Sequence, residues 1–167
     1  MKIAGYCATA IFLISTGNAA IAASQEGSIP DVGLTRENVL SWLQAKGYDA
    51  SIKRDPVNGD NYVSTSSQGA NWGIYLYACD ESNVRCKSLQ YSVSWNGANL
   101  TVDQINTWNQ TKRFMRAYTT SSGVAFGEYD LDIAPGGTWE GMAQSLSRWE
   151  AQMPNFKKYV LDIAAKN

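Results

Sequence analysis

Histidine is absent from all 167 residues. That removes Ser-His-Asp and Cys-His nucleophilic sites, and with them the commonest zinc ligand. A phosphate-cradling loop is missing too. Gly136-Gly137 lacks the lysine and spacing of a P-loop, and no G-x-G-x-x-G follows a strand. Charged residues make up only 17% of the chain, with a formal net charge of −1 and no basic stripe. Such a balance leaves no electrostatic footprint for nucleic acid or an anionic membrane. Repeats and low-complexity segments are lacking as well. No catalytic residue, metal or cofactor is assigned on these grounds.

Apolar runs are short, with one exception at the start. Lys2 precedes an apolar segment from Ile3 to Ile14, and Ala20-Ile21-Ala22 supplies a small-x-small site. This is the order of a secretory signal peptide spanning residues 1–22. The polar Ser15-Thr16-Gly17-Asn18 interrupts the run before it reaches the roughly 20 residues that span a bilayer. The expectation is an exported, periplasmic chain with no membrane span after cleavage. Its loss of Lys2 would move the net charge to −2. Three cysteines occur, and Cys79 and Cys86 lie beyond the cleavage site. In an oxidising compartment that pair is expected to form a disulfide. Six residues intervene, where a redox pair would favour Cys-x-x-Cys.

After a flexible linker at 23–33, residues 34–167 read as one domain. Thr35 caps a helix with Val39, Leu40, Trp42 and Leu43 on its apolar face, and Gly47 follows its end. Tyr48–Lys53 and Asn61–Thr65 read as strands around the turn residues Asp55-Pro56-Val57-Asn58-Gly59. Asn71–Ala78 alternates, with Trp72, Ile74 and Leu76 on one face and Gly73, Tyr75 and Tyr77 on the other. Leu89, Tyr91, Val93 and Trp95 alternate likewise, so the cysteines would close the end of a hairpin. Val124–Ile133 is a long strand, and Pro135-Gly136-Gly137 breaks the chain. A last helix from Thr138 carries Trp139, Met142, Leu146 and Trp149 at spacings of three or four, and Pro154 is expected to kink or split it. The order α-β-β-β-β-α-β-β-α predicts an α+β fold, an antiparallel sheet packed by helices.

The most distinctive stretch is Thr101–Tyr118. Thr101 and Gln104 form a capping box, and Val102, Ile105 and Trp108 share one side of a short helix. Arg113–Tyr118 then alternates as a strand does. This stretch resembles the signature of the YbjN-like family, an I-x-x-W-N helix leading into K-R-F-x-R-A-Y. Here it is carried by Ile105, Trp108, Asn109, Lys112, Arg113, Phe114, Arg116, Ala117 and Tyr118. The resemblance extends over nearly the whole chain beyond residue 34. It implies a fold related to the type III secretion chaperones, and with it a protein-binding scaffold, often dimeric, rather than an enzyme.

Four residues stand out as binding candidates. Tyr75 and Tyr77 sit opposite the apolar strand face and suit a surface patch. Arg113 and Arg116 alternate to opposite sides of their strand. One should point to the helical layer, paired with an acid such as Glu150, or dock an acidic group of a partner. Glu128, Asp130 and Asp132 share one strand face that could hold a divalent cation. They are expected instead to be solvated, offset by Lys112 and Arg116 on the neighbouring strand. The reading that follows is a non-enzymatic protein- or peptide-binding domain with a chaperone-like or regulatory role. Its rival is a small-ligand or glycan module built on Tyr75 and Tyr77.

Overall fold

The computed structural model describes residues 26–166, so the expected signal peptide lies outside the described residues. Nine elements follow in the expected order. Helix α1 is Arg36–Ala45, and strands β1 to β4 are Ser51–Arg54, Asn61–Ser67, Ala70–Cys79 and Cys86–Trp95. Helix α2 is Val102–Thr111, β5 and β6 are Arg116–Thr119 and Ala125–Asp132, and α3 is Trp139–Ala164. The strands form one antiparallel sheet in the order β1-β2-β3-β4-β6-β5. The α+β expectation is borne out. Among the described residues no helix is long and apolar enough to cross a membrane.

Local chemistry sets the helix starts. The Thr35 and Thr101 hydroxyls each accept a hydrogen bond from the backbone N–H three residues on, and the Asn38 and Gln104 side-chain oxygens accept one from the cap N–H. The register Gly73↔Ser92 through Cys79↔Cys86 ends on a disulfide between the last two residues. Closing so short a loop contributes roughly 2–3 kcal/mol on the loop-entropy account.

Strand alternation then decides what is inside. Trp72, Ile74, Leu89, Tyr91, Val93 and Ala125 turn to the helices and are buried. Trp149 of α3 stacks on Tyr91 and meets Trp72 edge-on, while Phe156 meets Trp95 and Trp108. Trp42 of α1 meets Trp139. All three helices therefore gather on one face of the sheet, with α3 as the central contact. Helix α3 continues through Pro154 as one element, so the proline does not split it. Met153, Phe156 and Val160 are buried on either side of the proline, and their packing outweighs the roughly 3 kcal/mol a mid-helix proline costs. Within the stretch expected as a linker, Ser28 bridges Thr138 and Ile29 is buried, its N–H donating to Gly137.

The signature stretch differs from its sequence reading at one helix position and in the strand half. Ile105 and Trp108 are buried, but Val102 is exposed. Strand β5 starts only at Arg116, because Phe114 takes φ +70° and turns the chain out of extended geometry. Lys112 is the C-cap of α2, with its ammonium over the Trp108 ring, so it does not lie on the strand paired with β6 as expected.

Candidate functional site

With the helices on one side, the other face of the sheet is open. Its grid follows from the register. Tyr75 lies across from Gln90 and Asp130, Gly73 from Ser92, Glu128 and Arg116, and Ser94 from Phe126 and Tyr118. Tyr62 adjoins Tyr75 on the β2 side, its ring stacked at 4.8 Å and 9° from parallel. Gly73 makes that possible, since a Cβ there would meet the Tyr62 ring at 2.8 Å. On the far side, Tyr118 stacks on Phe126 at 5.0 Å and 6°. Two flat aromatic pairs thus flank a floor of Ser92, Ser94 and Gln90. An open depression of about 580 Å³ lies beside them, lined by Tyr77, Gln90, Arg116, Tyr118, Glu128 and Asp130.

The polar groups of this face are tied to one another. The Tyr75 hydroxyl donates to Asp55 Oδ2 at 2.8 Å and the Tyr118 hydroxyl to Glu128 Oε1 at 2.9 Å. Gln90 Nε2 donates to Asp130 Oδ1 at 2.7 Å. Arg116 bridges both acids, at 2.7 Å to Glu128 and 3.3 Å to Asp130. The side chain of Glu128 is only 7% exposed against 58% for Arg116. The expected solvated acidic face is corrected at this position: Tyr118 and Arg116 cover Glu128, and only Asp130 and Asp132 are exposed. Burial pushes the Glu128 carboxyl above its ordinary range, against the lowering pull of Tyr118 and Arg116. Burial, then the neighbouring carboxylate, likewise pushes the hydroxyls of Tyr75 and Tyr118 up.

A pH dependence follows. A carboxyl raised in the folded state contributes stability at low pH, and that contribution is lost as pH rises through its folded pKa. Glu128→Gln removes this term. The thermal midpoint of the variant is therefore expected to gain on the wild type as pH rises from about 4 to 7. A difference that shrinks over that range would contradict the burial account.

Of the sequence candidates, the structure brings Tyr75, Tyr77 and Arg116 together on the open face. Tyr77 is 48% exposed, the freest ring there. Arg113 is elsewhere, and the expectation of one buried arginine is corrected. Arg113 is exposed and lies over the Phe114 ring at 5.0 Å, with no ion pair to Glu150. It precedes β5, so strand alternation never applies to it. Glu150 faces the Tyr48 hydroxyl instead. Sequence reasoning missed Tyr62, Phe126 and Gln90. Phe126 shares the strand parity of Glu128 and Asp130, but only the register shows that the three converge.

The signature residues have structural tasks. Trp108 Nε1 donates to the Met115 carbonyl at 3.1 Å. The Asn109 carboxamide accepts from Ala117 N–H at 2.8 Å and donates to Ala117 carbonyl at 3.1 Å. In effect one side chain pairs with the outer edge of β5 as a strand would.

The profile of the YbjN family, described as "Putative bacterial sensory transduction regulator", matches residues 35–161. The resemblance read from the signature is thereby borne out. A comparison with curated proteins gives no match.

Proposed function

Because the chain belongs to the YbjN family, we propose that it is a non-enzymatic, regulatory binding domain that takes a protein or peptide partner. We place it outside the cytoplasm, in the periplasm, on the signal-peptide pattern and the Cys79–Cys86 bridge. The observation that carries the reading is the helix-free face of the sheet, where Tyr77 and Tyr118 stand exposed beside Arg116 and Asp130. Aromatic and arginine side chains of this kind anchor interfaces at low entropic cost. Two of its carboxylates are engaged: both oxygens of Glu128 are taken by Tyr118 and Arg116, and Asp130 is held by Gln90 and Arg116. That arrangement suits recognition better than proton transfer, which needs a group within reach of substrate.

The two stacked aromatic pairs favour a second reading, a glycan module in which sugars pack against Tyr75 and Tyr118. The experiment that separates them is crosslinking of the tagged protein in its native cells. A reproducible protein partner that is lost with Tyr77→Ala, at unchanged folding, is the expected result. Capture unaffected by Tyr77→Ala would remove the open face from the reading. Saturable quenching by cell-wall fragments, with no protein captured, would favour the glycan module.

A further inference from the structure

Strands β5 and β6 differ in length, and the difference leaves an edge. Pairing stops at Arg116↔Glu128, so residues 129–132 of β6 bond to β4 on one side and to no strand on the other. The direction of their backbone groups is fixed. Thr120 N–H donates to Val124 carbonyl across the β5 side, and Ile133 N–H donates to Lys87 carbonyl across the β4 side. Alternation along an antiparallel ladder then turns the N–H and C=O of Asp130 and Asp132 outward.

Phe114 is the cause. Its φ of +70° turns the chain away before it can extend β5 along this edge, at a cost of about 1–3 kcal/mol. A groove of about 380 Å³ remains, lined by Lys112, Phe114, Arg116, Tyr129 and Asp130. The neighbouring edge is closed at Ala117, where Asn109 occupies both backbone groups. One edge is capped and the adjoining one is left open.

The two sides of the open edge carry opposite charge. On the helix side Arg113 and Arg148 lie at 5.0 and 5.4 Å from the Phe114 ring, with Lys112 close by in sequence. None of the three forms an ion pair among the described residues. On the open side stand the exposed carboxylates of Asp130 and Asp132, of which only Asp130 shares Arg116. A second copy fits this edge poorly. Antiparallel self-pairing about Leu131 would set Asp130 opposite Asp132 twice, and like charges directly opposite are destabilising.

We propose that the free edge of β6 at Asp130 and Asp132 accepts an extended peptide segment of a partner by strand addition, with acidic and apolar side chains toward Phe114 and basic ones toward the aspartates. The inference rests on the binding reading above and gives the partner its chemistry. Main-chain bonds to the two aspartates supply affinity. Lys112, Arg113 and Arg148 against Asp132 then select for alternating charge.

The probe is a labelled heptapeptide with glutamate and valine on one strand face and lysines on the other. Its control has the same composition with the lysines in one block. Saturable binding is expected, about tenfold tighter than the control, with slowed hydrogen exchange at the Asp130 and Asp132 amides. Asp132→Pro removes an outward N–H without breaking the ladder to β4, and is expected to abolish binding while Asp132→Ala retains it. Should the proline variant not fold, Arg113→Glu with Arg148→Glu replaces it, with about a tenfold loss expected. Equal binding of the two peptides, or protection on the Tyr77 face instead, overturns the edge and leaves the binding reading standing. Failure of both peptides to bind also overturns the edge alone, because partner capture through Tyr77 decides the other reading separately.

Discussion

Trp108→Ala is expected to lower stability by about 3–5 kcal/mol, which for a chain of this size lowers the thermal midpoint by roughly 10 °C. Trp108 is 1% exposed and packs against Phe156 and Tyr159. Its indole N–H also holds the Met115 carbonyl, the last turn of chain before β5. Phenylalanine restores most of the apolar surface but leaves that buried carbonyl without its donor, a penalty of about 1–3 kcal/mol. The ranking expected by differential scanning calorimetry is therefore wild type, then Phe, then Ala, with a clear gap at each step. A Phe variant as stable as wild type would mean that the hydrogen bond is not what fixes the signature. The tryptophan and asparagine of the family motif are engaged in holding the fold.

Trp149→Ala is expected to cost a similar 3–5 kcal/mol, for a different reason. Trp149 is fully buried at the centre of the sheet–helix contact, stacked at 5.7 Å on Tyr91 and 6.0 Å from Trp72. Aromatic pairs of this geometry contribute about 0.5–1.5 kcal/mol beyond the area they bury. Its indole N–H, unlike that of Trp108, has no hydrogen-bond partner among the described residues. Trp149→Phe thus removes ring volume and an unsatisfied donor together. It is expected to be milder than Trp108→Phe by about 1 kcal/mol. The pair forms an internal control, because both exchanges delete the same atoms and differ in whether a bond is lost. Equal losses would show that packing alone governs both sites.

How much of this was legible in the residues varied with the range of the interaction involved. Caps at Thr35 and Thr101 are local, and the sequence carries both partners within four residues. Alternation in β3 and β4 placed Trp72 and Tyr91 inside and Tyr75 and Tyr77 on the far face. The disulfide sits at the end of that hairpin as expected. Phe114 was opaque, because its left-handed conformation is imposed by Trp108, Asn109 and Arg116 gripping the chain on either side. A strand reading of Arg113–Tyr118 therefore started three residues early. Glu128 was opaque for a similar reason: its burial depends on Tyr118 and Arg116 of a neighbouring strand. Pro154 shows the limit of a local rule, since tertiary packing of Met153 and Phe156 holds the helix through it. The site itself was half legible. Parity gave two tyrosines, and register was needed to bring Tyr62, Gln90, Tyr118 and Phe126 around them.

Site-specific photocrosslinking in native cells tests the central claim most directly. A photoreactive phenylalanine at Tyr77, on the open face, is compared with one at Leu161, an exposed position on α3. The open-face account predicts a discrete protein adduct from Tyr77 and none from Leu161. An adduct formed equally at both positions, or only from the helix side, would contradict it.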